Sequence, residues 1–273
     1  MTRLTLTLRQ RPSQRLDLSP LVPHLLAGKS ARQIERIELQ TTRHRVAVGE
    51  AFRLRMGDAE QICIEGSCER LDYVGREMTG GELLVEGDVG IQAGRLMTGG
   101  RLMVRGNAGP WAASGMKSGM LQIAGAAGDR LAGPLPGEIS GMRGGIVVVR
   151  GNAGERACDR MRRGTVVIEG DAGPYAGARM IAGTLIVLRE AGLLPGFLLK
   201  RGTIFIGGGC SALSPTFVDC GVHQLLANRF MATMVEPYSK SAAKLMRRPL
   251  RRLAGDMAVL GKGEIFLGNG TEV

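Results

Sequence analysis

Residues Met97-Thr98-Gly99-Gly100-Arg101-Leu102-Met103-Val104-Arg105-Gly106-Asn107-Ala108-Gly109 decide the fold, because their signature returns along the chain. It reads as a Met, two residues, a Gly, an alternating apolar strand, then Gly-x-Ala-Gly or a close relative. The Met position recurs at Met78, Met97, Met116, Met142, Met161 and Met180 and continues at Leu199, in steps of 19 residues with one step of 26. The longer step holds an insertion around Pro134-Leu135-Pro136. Self-similarity at a short fixed period is the mark of a stacked repeat.

The strand copies are Leu83-Leu84-Val85, Leu102-Met103-Val104, Leu121-Gln122-Ile123, Val147-Val148-Val149, Val166-Val167-Ile168, Leu185-Ile186-Val187 and Ile204-Phe205-Ile206, with an earlier coil at Ile62-Cys63-Ile64. A strand this short buries little by itself. Identical strands stacked at about 4.8 Å per coil cover one another and pair their backbones. The fold expected is therefore all-β, a single-stranded parallel β-helix with coils of 19 residues, right-handed because parallel crossovers almost always are. Residues 56–212 form this solenoid, 1–55 an N-terminal flanking segment, and 213–273 a C-terminal helical segment with a closing strand.

Two glycine columns mark the corners. Gly66, Gly87, Gly106, Gly125, Gly151 and Gly170 follow the strands, and Gly90, Gly109, Gly128, Gly154 and Gly173 stand three residues on from them. A side chain there is expected to strike the neighbouring coil or to demand a positive φ. Asp88, Asn107, Asn152 and Asp171 sit beside these corners, able to bond the turn backbone or one another.

Side chains alternate across a strand, so the first and third residues of each copy line the interior and the second points outward. That outward stripe is Leu84, Met103, Gln122, Val148, Val167, Ile186 and Phe205, apolar but for Gln122. Such a surface calls for a cover. It is either a partner subunit or the chain's own segments Gly221–Val235 and Ser239–Leu253, both of which read as helices.

The formal charge of +11 suggests nucleic acid until it is divided. Residues 56–235 hold 18 Lys or Arg against 17 Asp or Glu, residues 1–55 hold 11 against 4, and residues 236–255 hold 6 against 1. Lys240, Lys244, Arg247, Arg248, Arg251 and Arg252 form the second basic cluster, a candidate contact for an acidic protein or another polyanion. Nucleic acid is disfavoured, for no aromatics interleave with these charges and no recognised binding motif accompanies them.

Chemistry is hard to find. The sequence contains no G-x-S-x-G elbow, no phosphate loop and no H-E-x-x-H. Cys63, Cys68, Cys158, Cys210 and Cys220 lack the paired C-x-x-C spacing of a metal knuckle, and His24, His44 and His223 are isolated. The odd thiol count and the lack of a signal peptide or apolar membrane stretch point to a reducing, cytoplasmic setting with no disulfide. No catalytic, cofactor-binding or metal residue is assigned.

The coil at Met97–Gly109 resembles the β-helix of the C-terminal domain of glutamate synthase large subunits, a likeness running from about Ile62 to Gly209. Over nearly the whole chain, including the stretch Gly261–Gly268, the sequence resembles the C subunit of formylmethanofuran dehydrogenase and of the related bacterial formyltransferase/hydrolase complex. The excess of Arg, 30 of 36 basic residues, favours the bacterial branch. This resemblance implies a complex that passes a formyl group from formyl-tetrahydromethanopterin through a methanofuran-type carrier to formate, in formaldehyde oxidation. It implies amidohydrolase-like, formyltransferase and dehydrogenase-B-like partner subunits that hold the reaction centres, with this chain a scaffold that binds neither carrier. An archaeal-type C subunit, a free-standing glutamate synthase-like domain and a polyanion-binding module are the other readings.

Overall fold

The computed structural model describes residues 2–268. Met1 and residues 269–273, the outer ends of the two flanking segments expected from the sequence, lie outside the described residues. The chain is mostly β. The N-terminal segment runs through β1 (Arg3–Leu8), β2 (Leu16–Asp17), α1 (Pro23–Leu26), α2 (Ala31–Glu35), β3 (Glu38–Leu39), β4 (Val46–Ala47), α3 (Val48–Ala51) and β5 (Phe52–Arg55). The repeats supply β6 (Asp58–Ser67), β7 (Leu71–Asp72), β8 (Glu82–Gly87), β9 (Arg101–Val104), β10 (Met120–Ile123), β11 (Arg143–Val149), β12 (Arg163–Ile168), β13 (Thr184–Val187), β14 (Glu190–Leu193), β15 (Arg201–Ile206) and β16 (Gly209–Ala212). Then follow β17 (Val218–His223), α4 (Leu226–Val235), α5 (Lys240–Met246), β18 (Leu250–Gly255) and β19 (Lys262–Leu267).

One sheet of 13 strands, mostly parallel, holds the molecule together in the order β17-β18-β19-β15-β13-β12-β11-β10-β9-β8-β6-β1-β5. Its register follows the repeat: Leu83 lies opposite Leu102, then come Leu121, Val147, Val166, Leu185 and Ile204. A second parallel ladder runs through single bridges from Val89 to Ala108, Ala127, Ala153, Ala172 and Ala191. The inward columns of the strands, the alanine column and the Met column from Met78 to Leu199 are all buried. The residues that keep the sequence period therefore make one continuous core.

Each end of the stack is closed by the flanks. At one end β1 pairs parallel with β6 and antiparallel with β5. At the other, β19 continues the parallel register, Ile204 opposite Ile265, and then pairs antiparallel with β18. The flanks are thus extensions of the sheet, and its edges are β5 and β17 rather than strands of the repeat.

The corner glycines act mainly through space. Of the eleven, only Gly66 and Gly87 have positive φ, 72° and 133°. At the others the missing side chain is what matters. A Cβ on Gly106 would lie 2.6 Å from the Gly87 carbonyl carbon, and one on Gly170 would lie 2.7 Å from that of Gly151. A glycine column with positive φ lies elsewhere, three residues after each Met position: Gly81, Gly100, Gly119, Gly145, Gly164, Gly183 and Gly202. There the chain turns into the strand. The polar corner residues bond backbone from coil to coil, with Asn107 N–H donating to Asp88 Oδ1 at 2.7 Å and Ala126 N–H to Asn107 Oδ1 at 2.8 Å.

The C-terminal expectation of two long helices needs correction. Helix α4 starts only at Leu226, preceded by strand β17, and α5 stops at Met246. Pro249, which has no N–H and disfavours helix in the residue before it, ends the helical run. Leu250–Gly255 then serves as strand β18 against β19.

Candidate functional site

The outward stripe divides into two halves. Leu84, Met103, Gln122, Val148, Val167, Ile186 and Phe205 are aligned in register, and Phe266 of β19 extends the row. Val148, Val167, Ile186, Phe205 and Phe266 are fully buried beneath Ala232 and Val235 of α4 and Ala242, Ala243, Leu245 and Met246 of α5. This half is covered by the chain itself, so these residues do not meet a partner. The cover is pinned: Ser239 accepts from Ala242 N–H as N-cap of α5 and donates to Glu169 Oε1 at 2.7 Å.

Beyond the helices the stripe opens. Leu84 is 5% exposed and lies in a shallow depression with Met56, Cys63 and Thr5. Met103 and Gln122 are half-buried and line another with Arg105 and Arg150. Of the apolar candidates, Leu84 is buried against its own chain as well, at the floor of its depression, and only Met103 is partly exposed.

The basic cluster is not one helix face. Lys240 and Lys244 lie on α5, Arg247 and Arg248 follow it, and Arg251 and Arg252 are on β18. Half of the cluster is paired within the chain: Arg247 with Glu236 at 2.7 Å, Arg251 with Asp219 at 2.8 Å and Arg252 with Glu264 at 2.6 Å. Hydrogen bonds from Arg247 and Arg251 hold the carboxyls of Glu236 and Asp219 below the usual range. Lys240, Lys244 and Arg248 are exposed.

A further surface escaped the sequence reading. Leu226, Phe230 and Met234 of α4 are 79%, 68% and 64% exposed, and the edge strand β17 adds exposed Val218 and Val222. The signal was present in the four-residue spacing, which sets these three on the helix face opposite Asn228, Ala232 and Val235.

Nucleophiles are poorly placed. All five cysteines are free thiols. Burial raises the thiols of Cys158, Cys63 and Cys210, which keeps them protonated and unreactive at neutral pH. His223 bonds the Cys220 carbonyl at 2.7 Å. Among the described residues no group of three or more His, Cys, Asp or Glu is arranged to hold a metal, and no helix is long and apolar enough to cross a membrane.

The ridge on α4, the partly exposed Met103 and the exposed cations are the surfaces described above. Comparison with known proteins gives them a context. The chain is 48% identical over 263 residues to the C subunit of the formyltransferase/hydrolase complex Fhc of Methylorubrum extorquens, covering 96% of this chain and 98% of that one. It is 33% identical over 94 residues to the C subunit of tungsten-containing formylmethanofuran dehydrogenase 2 of Methanothermobacter marburgensis, 33% of this chain and 35% of that one. Among solved structures, a chain of the crystal structure of the M. extorquens formyltransferase/hydrolase complex (FhcABCD) with methylofuran matches with a TM-score of 0.93 and 38% identity, covering 97% of this chain and 99% of that one. No family model matches the sequence.

Proposed function

Because the chain belongs to the family of formyltransferase/hydrolase complex C subunits, we propose that it is a noncatalytic scaffold of such a complex. In this reading the complex converts formyl-tetrahydromethanopterin to formate by way of a formylmethanofuran-type carrier, within the cytoplasm. Amidohydrolase-like, formyltransferase and dehydrogenase-B-like subunits carry the reaction centres, and this chain holds them in place while binding neither carrier. The observation that carries the proposal is likeness to an assembled subunit over nearly the full length of both chains. The bacterial complex is preferred to the archaeal dehydrogenase because likeness to the latter's subunit spans only a third of the chain.

The architecture assigned to the scaffold is a right-handed, single-stranded parallel β-helix over residues 56–212, with 1–55 and 213–273 as its closing segments. Two consecutive parallel ladders in the 19-residue register support it. Its partner surfaces are the stripe where it opens at Met103, the ridge Leu226-Phe230-Met234 and the exposed cations Lys240, Lys244 and Arg248. Exposed apolar residues grouped this way mark interfaces more often than chance placement.

Co-expression with the three partner subunits tests the proposal. The chain is expected to copurify at fixed stoichiometry, and formate release is expected only from the assembled complex. Formate release by the isolated chain, or failure to assemble with those partners, overturns it.

A further inference from the structure

We propose that a row of cations along one edge of the stack, from Lys117 to Lys262, is the docking surface for an extended acidic segment of a partner subunit. This rests on the assembly reading above. The stacked region is nearly neutral as a whole, yet stacking sorts its charges by corner. The residue after each Met forms a ladder by backbone bonding: Lys117 N–H donates to the Met97 carbonyl at 2.7 Å, Arg143 to Met116 at 2.7 Å, Arg162 to Met142 at 2.8 Å, Ile181 to Met161 at 2.8 Å and Lys200 to Met180 at 3.0 Å. The next position adds Arg163 and Arg201, and Arg201 lies in register with Lys262. Apart from Ile181, these residues are cations and all exposed.

Among the described residues none of these cations is in an ion pair, although the Glu138 carboxylate acts on Arg143 at longer range. Nearby carboxylates already have partners, since Asp159 is paired with Arg179, Glu138 with Arg95 and Glu264 with Arg252. Nor does the corner require charge. The same two positions are Thr79-Gly80 and Thr98-Gly99 in the earlier coils and Ile181-Ala182 in the middle of the row. Cations stacked about 4.8 Å apart repel, and like charges directly opposite on neighbouring strands destabilise a sheet. A row kept in spite of that repulsion is explained by an anionic occupant.

The shape of the row selects the occupant. Five coil steps at about 4.8 Å make it on the order of 24 Å long, the reach of about seven residues of extended peptide. It is one or two residues wide, carries no aromatic side chain on which a base could stack, and is interrupted by apolar residues only at Ile181-Ala182. Those features fit a strip of carboxylates on a protein better than nucleic acid or a lipid surface.

The test uses the co-expressed complex with two charge-reversed chains, Arg162→Glu with Arg163→Glu, and Lys200→Glu with Arg201→Glu. Each is expected to keep its melting temperature, to raise the dissociation constant for assembly by about tenfold or more at low salt, and to flatten its salt dependence. Arg162→Lys with Arg163→Lys should assemble as the parent does. In the unaltered complex, carbodiimide coupling should join Lys117, Lys200 or Lys262 to Asp or Glu of a partner, which keeps the proposal open to failure even if a variant does not fold. Unchanged affinity and salt dependence in both variants, couplings confined to this chain or a second copy of it, or single-stranded DNA binding that the variants lose while assembly is intact would each overturn the docking proposal alone. Failure of the unaltered chain to assemble overturns it together with the scaffold reading.

Discussion

Phe205 and Phe266 stack face to face, their ring centroids 5.0 Å apart and their planes 14° from parallel. They sit opposite each other in the register of β15 and β19, both fully buried. The contact joins the last repeat to the closing strand beneath α4 and α5, so coil, closing strand and helical cover share one apolar cluster. Phe205→Ala is expected to lower stability by about 3–5 kcal/mol. Chemical denaturation of the isolated chain measures it, and a loss below about 1 kcal/mol would mean the helices do not pack as described.

A charge placed deeper under the cover separates self-coverage from partner coverage. Val167 is fully buried against the helices, so Val167→Asp desolvates a carboxylate within an apolar cluster, at a cost of about 3 kcal/mol or more. The expected outcome is an isolated chain with a much lower melting temperature. A variant that melts as the parent does but fails to copurify would instead place a partner over this half of the stripe.

The glycine columns predict a contrast. A Cβ at Gly106 would collide with Asp88 Oδ1 and lie 2.6 Å from the Gly87 carbonyl carbon, whereas one at Gly80 would meet nothing within 4 Å. Gly106→Val is expected to yield insoluble or severely destabilised protein, while Gly80→Ala should be within about 0.5 kcal/mol of the parent. Thermal melts of the soluble fractions decide it, and equal behaviour of the two variants would show that the coils are spaced more loosely.

The repeat was legible because two signals coincide in it, the period in Met and Gly and the alternation of Leu83-Leu84-Val85 and its copies. Together they yield the stacking register, which the pairing of Leu102 with Leu121 repeats. The backbone role of each glycine was not legible. Gly81 and Gly106 both recur with the motif and both leave no room for a Cβ, but only Gly81 also has a positive φ. The flanks carry no repeat to give a register, and Leu250–Gly255 reads equally as the end of a helix until β19 supplies an antiparallel neighbour. For the candidate site, the stripe could be seen in the sequence. Which half of it α4 and α5 cover depends on where the chain returns after Ala212, and local pattern does not encode that.

The insertion at Pro134-Leu135-Pro136 carries a pH-sensitive tie. Glu138 bonds the guanidinium of Arg95 at 2.6 Å and accepts from Leu135 N–H at 2.9 Å. The Arg95 bond first, and the backbone bond with it, hold the Glu138 carboxyl below its usual range. A carboxyl with a depressed folded value adds stability that is fully present above its unfolded value, about pH 4.3, and is lost as pH falls through the folded value. Glu138→Gln should therefore lie below the parent in melting temperature at neutral pH, by an amount equivalent to about 1 kcal/mol or less, and the gap should close in acid. A gap that stays constant down to the acid limb would show that the carboxylate charge plays no part.

The ridge on α4 gives the sharpest separation between fold and assembly. Phe230 is 68% exposed, and its neighbours on the ridge, Leu226 and Met234, are more than half exposed. The opposite face of the same helix buries Ala232 and Val235 against the stripe. Replacing Phe230 with Asp removes little apolar contact from the isolated chain, so its melting temperature should stay within the range of ordinary surface substitutions, about 0.5 kcal/mol either way. In a complex that buries the ridge, the same carboxylate would have to be desolvated and an aromatic anchor would be lost, a combination that costs about 2 kcal/mol or more at a contact centre. Affinity for the partner subunits should then fall by about thirtyfold, measured by titrating the purified variant against the remaining subunits. Ala232→Asp is the complementary substitution, midway along the chain between Phe230 and Met234 but facing inward, and it should unfold the cover before any partner is added. Equal effects of the two substitutions on the isolated chain would mean that α4 has no outer face, and the ridge would then be lost as a candidate contact.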